Sequence, residues 1–287
     1  MAVTNFIPDL WSSRLLVGLR KAAVAGNLVN RDYEGEIKRQ GDSVKITSIN
    51  DVTIGSYTAH NNITVEDIDD ATRSLLIDQA KYFAVELDDI EAAQQVKGGR
   101  SALDQAVDNA AYQLANTADA FLLDLINDAA EATGTDLGTV AIHTTKKNLY
   151  DAFVDLGVVL DEGNVPEQGR YLVVSPSLHG RVRKLDEWVG VGDMSSEVAR
   201  TRGLIGEIAG LPVYKSNNLP AVTDAAATGG VAIAGYRGAT TFAEQIVSVE
   251  GARMELRFAD MVKGLHVYGG KVVRPTGVAK VEFDATA

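Results

Sequence analysis

Ser175 and His179 stand four residues apart. On a helix that spacing puts a hydroxyl and an imidazole on one face, as a nucleophile and its base would be. But Ser175 precedes Pro176, a pair suited to opening a helix, so its hydroxyl already has a capping duty. No acid is evidently placed to orient His179. Residues 264–271, GLHVYGGK, come close to a phosphate-cradling loop. The spacing is one residue too long, and Val272 stands where a Ser or Thr would ligate magnesium, so a glycine-bent strand fits better. Asp88, Asp89 and Glu91 offer hard oxygens, but not at every second position of a loop, and they read as a solvated acidic turn. The four histidines (His60, His143, His179 and His266) are isolated, with no two-His helical motif around a Glu and no G-x-S-x-G elbow anywhere. Cysteine is absent, which removes disulfides, thiolate nucleophiles and Cys-based metal sites. The sequence therefore assigns no catalytic, cofactor-binding or metal residue and calls for no cofactor.

The elements that would have positioned such chemistry are nonetheless well specified. Leu103, Val107, Ala110, Leu114, Ala118, Phe121 and Leu125 step by three and four, predicting one long helix over 102–131. Ser101 with Asp104 resembles a capping pair, and Gly134 stops the helix. A helix is expected over 8–25, from Pro8 with Ile7, Trp11, Leu15 and Leu19; the polar run that follows reads as an arm lying on something else. SVKITSI (43–49) is a strand. Some twenty residues of low apolar content then precede TRSLLIDQ and KYFAVELDD, two more strands, and an excursion of that length reads as an extended functional loop.

After the long helix, Thr144 or Thr145 caps a helix facing inward with Leu149, Phe153, Leu156 and Leu160. RYLVVS (170–175) is a buried strand, and the helix opened by Pro176 turns Leu178, Val182, Leu185 and Trp188 inward. GEIA and VYKS are expected to form a hairpin joined by Gly210, Leu211 and Pro212. From Val231 the tail is strand-rich, and Pro275 belongs at an edge or a bend. No repeat and no low-complexity linker divides the chain, so the tail strands should rejoin earlier elements.

Composition narrows the function classes. A hydrophobic content of 46% allows a sizeable core, and 6% aromatics favours close packing of small residues. The net charge of -12 argues against tight DNA binding, which needs clustered Lys and Arg. The imbalance is local. Residues 1–50 hold seven Lys and Arg against five acids, whereas 66–91 hold nine acids against Arg73 and Lys81. No signal pattern opens the chain and no apolar run spans a bilayer, so no membrane partner is expected. An N-x-T match at Asn62 carries no weight without a secretory signal.

The order of parts resembles the major capsid protein of tailed bacteriophages, the Hong Kong 97-type fold. LLIDQAKYFAVELDDIEAAQ (75–94) running into NAAYQLANTADAFLLDLI (109–126) is similar to that family's strand pair and spine helix. RYLVVSPSLHGRVRKL with GLIGEIAGLPVYKSNNLP is similar to its axial core, and GGKVVRPTGVAKVEF to its closing strands. The resemblance implies an α+β fold with four parts: an N-terminal arm (1–42); an extended loop and its strands (43–82); a peripheral domain (83–135 and 236–273) carrying the spine helix; and an axial domain (136–235 with 274–287).

It implies a non-enzymatic coat protein that self-assembles into hexamers and pentamers of an icosahedral shell around phage double-stranded DNA. The shell is built in the bacterial cytoplasm and becomes the virion capsid. A separate scaffolding protein, a portal and a decoration protein are the implied partners, with only weak non-specific contact to DNA. Some relatives crosslink through a loop lysine, but no Lys lies between Lys45 and Lys81 here. An encapsulin-like bacterial compartment shell is the alternative reading, and a soluble α/β enzyme the weaker one.

Overall fold

The computed structural model describes residues 24–33, 43–49, 54, 56, 70–88, 102–142, 147–182, 204–222, 229–255 and 257–284. Residues 8–23 of the helix expected over 8–25, the interior of the excursion, Ser101 of the expected capping pair, and the positions of Thr144, Leu185 and Trp188 lie outside them.

Eleven strands are seen among the described residues: β1 (Ser43–Ile49), β2 (Asp70–Leu76), β3 (Gln79–Asp88), β4 (Asp136–Ala141), β5 (Arg170–Val174), β6 (Leu204–Ile208), β7 (Leu211–Lys215), β8 (Gly230–Tyr236), β9 (Thr240–Arg253), β10 (Ala259–Val272) and β11 (Val278–Asp284). The helices are α1 (Ala25–Leu28), α2 (Ala102–Thr133), α3 (Lys147–Glu162) and α4 (Pro176–Val182). α2 matches the predicted long helix. Its 32 residues make a rod of about 48 Å at the usual rise, ending at Gly134 with φ 74°.

The strands form three sheets. β1 and β2 pair antiparallel from Ser43↔Leu76 to Ile49↔Asp70, so the excursion is the loop of one hairpin. β3-β10-β9 form an antiparallel three-stranded sheet, and β4-β11-β8-β5-β7-β6 a mixed six-stranded sheet. The tail strands do rejoin earlier elements: β11 lies between β4 and β8, and β10 between β3 and β9.

Alternation explains how the six-stranded sheet is buried on both faces. Leu172 and Val174, Ala232 and Ala234, and Ala279, Val281 and Phe283 face one way, into a core with Phe153, Leu156 and Leu160 of α3 and Leu178 and Val182 of α4. Tyr171 and Val173, Val231 and Ile233 face the other way, against Ala118, Leu122, Ile126 and Ala130 of α2. Successive strand residues point to opposite faces, so a strand covered on both sides reads as a continuous apolar run, as RYLVV does.

α2 continues beyond this sheet. Its earlier half packs Val107, Ala111 and Leu114 on Val249 and Val262 of the three-stranded sheet. The opposite face of β10 is covered near Val267 by Val44, Ile46 and Leu75 of the β1–β2 hairpin. Arg73 of β2 also donates to the Val273 carbonyl.

The β6–β7 turn differs from expectation. It is the two residues Ala209 and Gly210, with φ 49° and 75°, and Leu211 and Pro212 already belong to β7. Two successive left-handed residues twist with the flanking strands, whereas a Pro with its fixed φ cannot take that conformation. Pro212 pairs with Glu207, one residue before the β5–β7 ladder begins at Leu172↔Val213, so its missing N–H breaks no bond there. β4 has no counterpart in the sequence reading. It is a largely exposed edge strand, interrupted by Gly138, and offers no apolar alternation to detect. Pro275 lies, as expected, at a bend, a short 3-10 turn between β10 and β11.

Candidate functional site: the assembly surfaces

Ser175 and the stretch 264–271 are engaged in holding the fold. Ser175 Oγ accepts the Leu178 N–H at 3.4 Å and lies 3.0 Å from Ser177 Oγ, as a helix cap does. GLHVYGGK is not a loop but the middle of β10. A Cβ on Gly270 would come within 2.8 Å of Leu125 of α2, and one on Gly269 would strike the Leu76 carbonyl, so these glycines let the strand pass between helix and hairpin. Asp88 ends β3 opposite Ala259, while Asp89, Glu91, His60 and His143 lie outside the described residues. Among the described residues no group of three or more His, Asp and Glu is placed to hold a metal ion.

Three buried polar clusters went unread in the sequence. In the first, Asp119, 2% exposed, sits among the apolar residues of α2. Its Oδ1 accepts the N–H groups of Val24 (3.0 Å) and Ala25 (2.6 Å), and its Oδ2 accepts Asn218 Nδ2 (2.9 Å) and Ser216 Oγ (3.4 Å). In the second, Glu244 Oε2 lies 3.2 Å from the fully buried His266 Nε2, while Glu244 Oε1 accepts from Arg31. Burial pushes the Glu244 carboxyl up, but the hydrogen bonds and charges of His266 and Arg31 together hold it below the usual carboxylate range. In the third, Lys280 of β11, 1% exposed, directs its ammonium to Asp136 (3.1 Å), Glu131 (3.2 Å) and Glu282 (3.5 Å). Burial works against its charge, but the carboxylates of Asp136 and Glu131 outweigh that and raise its pKa.

The first two clusters fasten residues 24–33 to the chain's own body as a strap. Asn30 bridges to Thr241 through Asn30 N–H to the Thr240 carbonyl and Phe242 N–H to the Asn30 carbonyl, both 2.9 Å. Ala25, Leu28 and Val29 are buried against α2 and Phe242. This part of the expected arm therefore lies in its own chain's core. Its apolar side chains are too few to show a period, which is why the sequence reads it as part of an arm lying on something else.

The remaining surface is uneven. Ladder partners share a face, so Tyr82 and Leu265, then Ala84, Lys263 and Glu250, then Glu86, Met261 and Ala252, make three rows on the side of the three-stranded sheet away from α2. Tyr82 is 79% exposed. Lys263–Glu250 (2.9 Å) and Arg257–Glu86 (3.0 Å) are ion pairs of this surface, and Phe258, 80% exposed, stands at the β9–β10 turn. α2 carries six acids and no Lys or Arg. The Asp124 carboxyl there is pushed up, by burial first and then by the charge of Asp128.

Residues 72–281, from within β2 to within β11, match the model of the phage capsid protein family. The chain belongs to that family. It is a major capsid protein with the Hong Kong 97-type fold, and copies of it assemble into the icosahedral shell of a phage virion. A structure from Mycobacterium phage Che8 is 30% identical with a TM-score of 0.71, covering 100% of this chain and 95% of the other. The capsid structure of cyanophage P-SCSP1u shares the fold at 19% identity and a TM-score of 0.70, covering 93% of this chain and 89% of the other. The mature capsid of bacteriophage PhiM1 does so at 17% identity and 0.64, covering 87% and 84%. No curated protein matches the sequence. The family match decides between the two shell readings in favour of the virion coat. For a capsid protein the functional site is its outer surface.

Proposed function

We propose that this capsid protein builds its shell through four parts with separate duties. The six-stranded sheet with α3 and α4 is the axial domain (136–235 with 274–287), facing the centre of each hexamer or pentamer. The three-stranded sheet with α2 is the peripheral domain (83–135 and 236–273), at the capsomer rim. The β1–β2 hairpin (43–82) carries the extended loop over a neighbouring copy, and the arm (1–42), strapped to its own body at 24–33, reaches another with the residues before that strap. The observation that carries this reading is the pairing Ser43↔Leu76 to Ile49↔Asp70, which makes the twenty residues between Ile49 and Asp70 the loop of a single hairpin. A loop of that length in a compact domain is usually functional.

The coat protein acts as structure, not as a catalyst, and holds its shell by non-covalent contacts, since no Lys lies between Lys45 and Lys81 to attack a neighbour. A separate scaffolding protein directs assembly in the bacterial cytoplasm, and a portal and a decoration protein complete the head. Contact with the packaged double-stranded DNA is weak and non-specific, in keeping with a net charge of -12 and a long helix without a basic residue. Deleting residues 50–69 tests the central claim. Folded monomers that no longer form shells are expected, by circular dichroism and electron microscopy; normal shells would refute it. Boiling shells in detergent should return single chains of 30.6 kDa.

A further inference from the structure

We propose that Asp119 is a positioning residue for assembly: it fixes where the N-terminal arm joins the folded body and couples that point to the loop after β7. The division of its two oxygens carries the inference. Oδ1 takes the backbone N–H groups of Val24 and Ala25, where the chain enters the described body; Oδ2 takes Asn218 Nδ2 and Ser216 Oγ, in the loop leaving the β6–β7 hairpin. Ser216 Oγ also accepts the Asn218 N–H at 3.1 Å, which holds the loop in shape for its bond to the carboxylate.

Holding the strap requires only the first oxygen. Ala25, Leu28 and Val29 are buried, and the strap is fastened again at Asn30 and at Arg31–Glu244. The second oxygen joins that strap to a loop far away in sequence, at the end of the six-stranded sheet where β6 is the outermost strand. A carboxylate only accepts, so it can serve two separate sets of donors at once. Among the described residues its partners are four neutral donors, and bonds to a buried charge are the strong kind. A shift of the β6–β7 hairpin on meeting a neighbour is therefore transmitted through one side chain to the root of the arm. This rests on reading the part of the arm before the strap, residues 1–23, as a contact arm.

The test uses the full chain with three changes. Asp119→Asn replaces one acceptor by an NH₂ donor, so one of the two donor sets faces a donor. Asn218→Ala removes the loop tie and leaves the buried carboxylate. The paired swap Asp119→Asn with Asn218→Asp puts the donor on the helix and the acceptor on the loop. Hydrogen exchange at Val24 and Ala25 should rise about ten-fold in Asp119→Asn, as expected for exchanging a charged acceptor for a neutral one. Both single variants should give fewer closed shells by electron microscopy while exchange in β5, β8 and β11 stays at the wild-type level. The paired swap should recover shells towards the wild-type yield.

The proposal is overturned if Asn218→Ala forms shells like the wild type, if the swap is no better than Asp119→Asn alone, or if β5 and β8 exchange as fast as the strap, which would make Asp119 a general core residue. Deleting residues 1–23 separates the two layers of argument. Normal shells without the arm would sink the arm reading and this proposal together. Lost shells without the arm, beside normal shells in Asn218→Ala, would sink this proposal alone.

Discussion

The two larger sheets are built from similar residues and end up in opposite conditions. In the six-stranded sheet every residue of β5 is buried, as are Val278 to Phe283 of β11, because helices cover both faces. In the three-stranded sheet the described residues cover only the side toward α2 and the base under the β1–β2 hairpin, and β3 leaves Lys81, Tyr82, Ala84 and Glu86 exposed. The first sheet is a core that a single chain completes. The second has a face that the described residues do not complete. A shell subunit needs both, a body that folds alone and a surface whose burial waits for other copies.

The sharpest way to break this comparison is to empty the complete core. Phe153 and Phe283 meet edge to face with ring centroids 5.9 Å apart, both fully buried. Phe153→Ala should cost about 3–5 kcal/mol in urea denaturation, from lost transfer energy plus a cavity. A loss under about 1 kcal/mol would mean that this sheet is no better packed than its neighbour.

The next effect is electrostatic. Lys280→Met keeps the volume and takes the Lys280 ammonium away from Glu282, 4% exposed, and from two further carboxylates. Removing one partner of a buried pair costs about 3–5 kcal/mol, and Glu131 and Asp136 are exposed enough to bring that down to about 2–3. The pH dependence has a definite sign. Lys280 is raised above its ordinary 10.5, so its contribution is complete below that value and lost as pH rises through the higher folded one. Stability measured against alkaline pH should show this step in the wild type and not in Lys280→Met.

Lys280 also marks a limit of sequence reading. VAKVEF alternates apolar and charged residues, the pattern of a half-exposed strand, yet Lys280 and Glu282 are both buried. Lys280 pairs with Glu282 and also with Glu131 and Asp136, the last two at sequence distances no local pattern can report. Asp119 is the same case: it interrupts an otherwise apolar helix face and could only have been read as an exposed acid. What could be read was periodic. The steps of three and four in α2, the run RYLVV and the hairpin strand SVKITSI each record burial on one face or two, and they place helix and strands correctly. The Ala209–Gly210 turn was missed because Ala gives no warning of a left-handed conformation.

A smaller effect sharpens the boundary between body and strap. Glu244→Gln should cost about 1–2 kcal/mol, since the amide keeps one acceptor but loses the charge that Arg31 and His266 bond. Because its folded pKa is depressed, the Glu244 contribution is present above the ordinary 4.5 and is lost as pH falls through the lower folded value. Acid titration should therefore release the strap more readily than the six-stranded sheet. Hydrogen exchange at Asn30 and Phe242 rising before that of β5 is the expected result, and simultaneous release would merge the two regions into one cooperative unit.

The smallest stability effect belongs to the open face, and there the comparison yields its clearest contrast. Tyr82 is mostly exposed, and Lys263–Glu250 is half exposed on both sides. Tyr82→Ala and Lys263→Ala should each change monomer stability by under about 0.5 kcal/mol, because exposed side chains and surface pairs contribute little. If the face waits for another copy, Tyr82→Ala should still lower the yield of shells, since an aromatic on an open surface gains its burial only on association. Lys263→Ala should matter less, and less again at high salt, where screening already weakens the pair. The opposite pattern, normal shells together with a destabilised monomer, would mean that Tyr82 serves its own fold and that the contact between copies lies on another surface. Sedimentation of shells beside urea denaturation of monomers, for each variant, separates the two.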